Sequence, residues 1–552
     1  YYTMLAILLL FLQAKFAFST ATAGFIYSTF LALVYFMPML GGLIADKWNF
    51  QKTVSLGIVV MFLGYLVMAL PTEPGATTSV IIMFAALLLI SCGTGLFKGN
   101  LQVMVGDLYN DPRYSEKRDV AFSLFYMAIN IGAMFAPSVT EALCNMALHA
   151  NGLEYNPALP SLCNRFIAGE LSDPEKLAQL STFANGSTNL LEWCRNYMST
   201  ISTGYSYAFA VACGSMVVSF LIYKLCLKTY DGVSDSKTAA TKSGSKNTAP
   251  ELTKEQTKSR IVALLLVFTV VIFFWMVFHQ NGATLTKFAE QFTETSSTGW
   301  TRIGFNIWAL VTIVVGVYSA FSMFQSKSGR TRLISAIVFV GTLTALYFFY
   351  DKTGVVSGIQ PQIYQQFNPF YVVALTPFSV AFFAWLGSRK KEPSAPRKIG
   401  YGMIVAAVAF GIMAIVSFSA GLGVAPEEGV SSILVSPNLL IGVYLVLTFA
   451  ELLLSPMGIS FVSKVAPPKY KGAMMGCWFG ATAIGNYLVF IPTLLWSRIS
   501  VGTLWLILLI LCLVSAAFIF SIMKKLENAT SDSPSQALPA DVPSDNIENE
   551  AI

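Results

Sequence analysis

The sequence predicts an all-α membrane protein of about fourteen transmembrane helices. Three observations carry that class. The 552 residues are 55% hydrophobic and 12% charged, with a mean hydropathy of +0.63, whereas a soluble chain is about 25% charged. Apolar runs of about 20 residues, enough to cross hydrocarbon, recur along the whole chain. Basic residues also alternate between successive connecting segments, as the positive-inside rule requires. The net charge of +6 is therefore a matter of topology, and no nucleic-acid surface is read from it.

In chain order the spans are placed at 1–18, 21–44, 52–70, 79–104, 119–143 and 203–226, then 259–283, 302–324, 332–350, 367–388, 398–420, 437–462, 472–495 and 501–523. The first opens inside an apolar run at Tyr1, with no initiator Met, so upstream residues are expected. With the start placed inside, the inner loops hold 26 Lys and Arg, the outer loops hold 8, and Lys98 lies within a span. Both termini are then cytoplasmic, and the expected location is the plasma membrane.

Residues 1–228 are read as a first six-helix bundle and 259–525 as a second, which carries an extra hairpin at about 302–350. The Ser/Thr/Lys/Gly-rich stretch 229–258 reads as a flexible cytoplasmic linker, and the acidic tail 526–552 as disordered. Residues 144–202 read as a long outer loop containing Cys144, Cys163 and Cys194. One disulfide fits there in an oxidising compartment, with one thiol left over. The Asn185-Gly186-Ser187 sequon matters only in a eukaryotic secretory pathway. Eight cysteines without a CxxC pair, and the two histidines His149 and His279, argue against a metal site and leave little from which to build an enzyme. Two halves joined by a long basic segment match, by analogy, the major-facilitator architecture, which binds substrate between its halves near the midplane.

Two charges stand well inside spans, Lys98 in SCGTGLFKGN and Glu451 in LTFAELLLSP. Each costs roughly 2.5–3.5 kcal/mol at the bilayer centre unless it faces a partner or a wet cavity. A structural Lys–Glu bridge, or a snorkelling Lys98, would also satisfy them. As cavity groups, one cation and one anion in opposite halves would suit a small zwitterion, and both titrate when buried, as proton coupling requires. Amino acids, peptides and other zwitterions fit equally at this stage. Nearby at helical depth are Asn130 in FYMAINIGA, Asn368 in QQFNPF, Trp275 and Gln280 in FFWMVFHQNG, and Trp478 in MMGCWFG. The plain alternatives are interhelical hydrogen bonds for the amides and packing or lipid contact for the tryptophans.

The motifs YYTMLAIL, LVYFMPMLGGLIADKW, GTGLFKGNLQVMVGDLY, FSLFYMAINIGA, FFWMVFHQNGATLT, FNPFYVVALTP and ELLLSPMGISFVSKVAPPKYKGAMMGCWFGATAIGNY occur in that order. Together they resemble the proton-dependent oligopeptide transporter family of the major facilitators. The resemblance implies symport of di- and tripeptides with protons and no cofactor. Glu451 would receive the peptide amino group, helped by Asn130 and Asn368. Lys98 would attract the carboxylate and share in proton coupling. Tyr2, Tyr35 and Tyr126 would line the cavity, Trp275 and Trp478 would wall side-chain pockets, and Gln280 and Ser455 would complete the polar lining. The lipid bilayer is the other expected partner.

The chain departs from the family in three places. The family's ExxER sequence precedes the tyrosine pair and lies outside this sequence. The family commonly has Arg where Leu5 stands and an acid where His279 stands, so His279 is expected to replace that acid as a gate or proton group. The hairpin at 302–350 lies within the second half and is expected to pack outside the core. The rival readings are a related carrier of another solute, such as an amino acid, nitrate or a glycoside, and a sensor that binds peptide without transport.

Overall fold

The structure is a computed structural model describing residues 2–70, 72, 76–108, 118–185, 187–226, 253–427, 429–467 and 470–531. The first half contains α1 (Tyr2–Phe16), α2 (Thr20–Lys47), α3 (Phe50–Ala69), α4 (Thr77–Leu108), α5 (Arg118–Ala150), α6 (Leu159–Ile167), α7 (Pro174–Phe183) and α8 (Leu190–Leu225). The second half contains α9 (Lys254–Phe278), α10 (Thr284–Gln291), α11 (Ile307–Gln325), α12 (Gly329–Lys352), α13 (Phe367–Ser388), α14 (Ala395–Ser419), α15 (Asn438–Val465), α16 (Lys471–Leu488), α17 (Phe490–Leu495), α18 (Val501–Ser521) and α19 (Met523–Ser531). Among the described residues 13 helices are long and apolar enough to cross a membrane, and α1 is an apolar helix of 15 residues.

Hydrocarbon offers no partner for a backbone amide, so each span must be helical and must end where polar groups can cap it. Ser19 accepts from the Thr22 amide at the start of α2, Asn49 from Lys52 at α3, and Asn189 from Glu192 at α8. A reciprocal capping box of Thr253 and Gln256 opens α9.

Among the described residues three buried clusters form, a large one centred in each half and a small one of Val54, Ile58, Met104 and Tyr223 in the first. In the large cluster of the first half, Phe11, Tyr65, Tyr197 and Phe209 are among the core residues. In that of the second, Phe288, Phe292, Trp496 and Trp505 interlock edge-to-face at 5.9–6.1 Å. Glycines let helices close where side chains could not. A Cβ added at Gly41 would stand 2.2 Å from the Gly95 carbonyl, which seats α2 against α4. Pro38, Pro137 and Pro377 lie inside α2, α5 and α13.

The hairpin of α11 and α12 leans on α13, where Phe321 meets Phe378 at 4.7 Å, and touches α5 through Trp308 and Phe135 at 6.0 Å. It presents Leu333, Ile337, Val340 and Tyr347 outward.

Three segments are more ordered than their polarity suggested. The expected loop 144–202 is mostly helix. Helix α5 continues to Ala150, α8 begins at Leu190, and α6 and α7 fill the interval. Their polar residues break a hydropathy run while leucines at helical spacing, Leu159, Leu162 and Leu180, stay buried against the bundle. The linker expected at 229–258 ends at Thr253, where the capping box starts α9, and residues 227–252 lie outside those described. The tail expected to be disordered from Leu526 instead begins as α19, with Leu526 and Ala529 buried, and residues 532–552 lie outside those described.

Helix α19 is held at the start of α14 by one carboxylate. Ser394 Oγ donates to Glu527 Oε1 at 2.7 Å, and Arg397 reaches both oxygens, Nε at 2.7 Å and an NH2 group at 3.2 Å. The Ser394 hydrogen bond, then Arg397, hold the Glu527 carboxyl below its ordinary range. A depressed carboxyl stabilises the docked form above its unfolded pKa, and that stability is lost as pH falls through the folded value. Glu527→Gln should therefore loosen α19 at neutral pH by about 0.5 kcal/mol, the scale of a partly exposed pair. Hydrogen exchange of the 523–531 amides should be roughly twofold faster at pH 7, with the difference lost as pH falls through the folded pKa of Glu527.

Candidate functional site

Glu451 sits in the middle of α15, where a bare carboxylate would be expensive. The structure satisfies it with donors from both halves. Tyr126 of α5 donates its hydroxyl to Oε1 at 3.3 Å, and Asn368 of α13 donates its amide to Oε2 at 2.9 Å. The same amide group reaches Thr448 Oγ1 at 3.1 Å, one turn before Glu451, and Thr448 in turn donates to the Tyr444 carbonyl. Asn130 is buried one turn beyond Tyr126 and donates to the Tyr126 carbonyl at 3.0 Å. It braces Tyr126 through the helix backbone. Tyr126 is 40% exposed although it lies mid-helix and bonds across the halves, so it faces open space between them.

A second group assembles on α2, α4 and α9. The Lys98 ammonium stands 3.9 Å from the centre of the Tyr35 ring, the geometry in which a ring's quadrupole attracts a cation. Tyr35 lies 6.5 Å from Trp275 and 6.2 Å from His279. Trp275 and His279, four residues apart on one helix face, stack at 5.0 Å with their planes 22° apart. Tyr2 lies within electrostatic reach of both Tyr35 and Glu451. The Leu5 carbonyl and Tyr27 hydroxyl crowd Gly282 just past His279: a Cβ at Gly282 would stand 1.9 Å from that hydroxyl.

The remaining expected residues are placed differently. Gln280 is completely buried and fully engaged. Its Nε2 donates to the Met276 carbonyl at 2.9 Å and the Val489 carbonyl at 3.4 Å, and its Oε1 accepts from Thr284 at 2.7 Å. It ties the end of α9 to the α16–α17 junction and does not line the cavity. Trp478 is 4% exposed. Its ring packs into the space left by Gly458, where a Cβ would come within 2.0 Å, and meets Phe268 at 6.2 Å. Ser455, one turn beyond Glu451, has a buried hydroxyl with no hydrogen-bond partner among the described residues.

Sequence reasoning missed a polar seam between the halves on the face that carries α6 and α7. Ser138 donates to Gln366, Glu141 accepts from the Gln360 amide at 3.2 Å, and Gln360 donates to Asn145 at 2.6 Å. Gln365 also donates to the Ala6 carbonyl at 3.1 Å. Glu141 stands within the fifth predicted span and the glutamines run through GIQPQIYQQF, so the signal was present as polar residues at a span end.

A family model described as PTR2, POT family, matches residues 51–250 and 349–507. The chain is 26% identical over 509 residues to a Bacillus subtilis protein named Uncharacterized transporter YclF, covering 87% of this chain and 81% of that one. It is 24% identical over 514 residues to Dipeptide and tripeptide permease B of Salmonella typhimurium, covering 88% and 83%. A solved mutant of the peptide transporter POT in complex with alafosfalin matches with a TM-score of 0.62 at 20% identity, covering 96% of this chain and 92% of that one. A POT family transporter in complex with a thioalcohol conjugated peptide matches at 0.58 and 17% identity, covering 95% and 93%. These structures share the fold.

Gln280→Leu should lower the thermal stability of the purified protein by about 1–3 kcal/mol, because the Val489 carbonyl loses a buried donor. Ligand affinity of the fraction that stays folded should be unchanged.

Proposed function

The chain belongs to the POT family, and we propose that it is a proton-coupled symporter importing di- and tripeptides by alternating access. It is a secondary transporter, not an enzyme. The observation that carries the reading is the carboxylate of Glu451, hydrogen-bonded by Tyr126 from one half and Asn368 from the other. A peptide's ammonium can take the place of these neutral donors and bring a full opposite charge to the carboxylate. The peptide carboxylate then points to Lys98, which is held over Tyr35. Tyr2, Tyr35, Tyr126 and Trp275 line the space between those poles, with Ser455 beside Glu451. The peptide backbone supplies the contacts common to every sequence, which leaves the side chains read loosely by ring faces and water.

The basic segments face the cytoplasm, with both termini inside and the plasma membrane as the site of action. On that orientation the polar seam of Glu141, Asn145, Gln360 and Gln366 closes the outer side, and the space beside Tyr126 opens inward. The described state is then the one that releases peptide. Protonating a buried carboxylate removes the cost of enclosing its charge, which links proton entry to closure of the empty or loaded carrier. His279, stacked on Trp275 beside the Leu5–Gly282 contact, acts as the gate or proton group in place of the family's acid.

The test is uptake of a labelled dipeptide into proteoliposomes with and without an inward proton gradient. Accumulation should require the gradient and collapse with a protonophore, and Glu451→Gln should reduce it more than tenfold, the equivalent of losing about 1.4 kcal/mol or more. Accumulation retained by Glu451→Gln would remove its assigned role, and gradient-independent accumulation would remove proton coupling. His279→Gln should shift the pH dependence of uptake; an unchanged profile would reduce His279 to a packing residue.

A further inference from the structure

Helix α6 occupies an unusual place, because its side chains reach both halves. Toward the first half, Asn164 donates to the Gln13 carbonyl at 2.8 Å. Toward the second, Arg165 meets Glu427 at 3.3 Å and Ser161 Oγ accepts from the Gly429 amide at 2.8 Å. A nine-residue helix is too short to hold such a position by its own hydrogen bonds. Leu159 and Leu162 already seat it in the first half's cluster, and a covalent tie there would leave the other contacts free to break and reform.

Cys163 lies in the middle of α6 and Cys194 in the first turns of α8. Both are completely buried where α6 packs along α8, and the two thiols stand close enough to interact directly. Cys144 is the third cysteine of the region. It faces Gly204, where a Cβ would stand 2.8 Å from the Cys144 Cα. Gly204 is ten residues beyond Cys194 on α8, about 15 Å at 1.5 Å per residue. Disulfide geometry needs Cα atoms within roughly 7 Å, so Cys144 and Cys194 do not pair.

We propose that Cys163 and Cys194 form a disulfide that makes α6 a rigid extension of the first half, and that the Arg165–Glu427 and Ser161–Gly429 contacts are the side of the latch that opens. The proposal rests on the orientation given above, in which α6 and α7 lie in the oxidising exterior compartment. Two S–H bonds break and one S–S bond forms. Two protons leave, and the two electrons pass by thiol–disulfide exchange to the disulfide of an exterior oxidoreductase, which becomes a dithiol. The closed loop spans the whole of α7, so the bond would hold both short helices to α8.

The experiment is peptide mapping of the protein purified from membranes under alkylation, with and without reductant. The expected result is a linked peptide pair containing Cys163 and Cys194, with Cys144 alkylated. Reduction should release the pair, and Cys144→Ser should leave it intact. Alkylation of both Cys163 and Cys194 without reductant would overturn the proposal, as would any linkage to Cys144. A separate Glu170→Cys variant reports the orientation, since Glu170 is 65% exposed. If it is labelled by an impermeant maleimide on intact cells while the two thiols are free, the pairing alone is wrong. If it is unlabelled while they are free, the orientation has failed with it.

Discussion

A single carboxylate in hydrocarbon sets the terms for the rest of this molecule. Glu451 cannot stand ionised in the middle of α15 without donors, and none is available from its own helix backbone, where the amides are already bonded. The donors come from α5 and α13, which lie in different halves. To bring them together the two bundles must meet across a polar midplane rather than fuse into one apolar core. The two large buried clusters, each centred in one half, are the packing expression of that requirement. The space beside Tyr126 is what remains when two rigid bodies touch at a polar point.

The same logic explains the face on which the halves are tied. Apolar contact across a moving interface would be hard to undo, whereas hydrogen bonds exchange readily with water. The seam of Ser138, Glu141, Asn145, Gln360 and Gln366 is built from such bonds. The tilted ring contacts of Tyr35 with Trp275 and His279 supply a second contact between halves, soft in direction and tolerant of sliding. Apolar packing is densest inside each bundle, as where Trp478 fills the place beside Gly458, and it crosses between halves where Phe25 of α2 meets Tyr487 and Phe490.

The spans were legible in the sequence because hydrocarbon imposes a length and a polarity that need no tertiary information. Glu451 was legible for the same reason: its cost could be read from position alone. What could not be read was which polar groups spend their bonds locally. Gln280 and Glu451 look alike in a linear census, yet Gln280 finds partners at Met276, Thr284 and Val489. Tyr126 and Asn368 stand 325 and 83 residues from Glu451, so no local signal links them. Asn130, picked for the substrate, braces Tyr126. Segments 144–202 and 526–531 were misjudged because hydropathy averages out an amphipathic helix, whose order depends on one face finding a wall.

The hairpin of α11 and α12 leads outside the protein. Helix α12 has 24 residues, about 36 Å at 1.5 Å per residue, against a hydrocarbon thickness of about 30 Å. Most of its surface meets acyl chains rather than protein. Anchored chiefly on α13, it behaves as a fin that travels with the second half. Each turn of the cycle must then displace annular lipid along its length. Bilayer thickness and viscosity thereby enter the rate of a carrier whose binding chemistry lies at the midplane between its halves, away from those lipids.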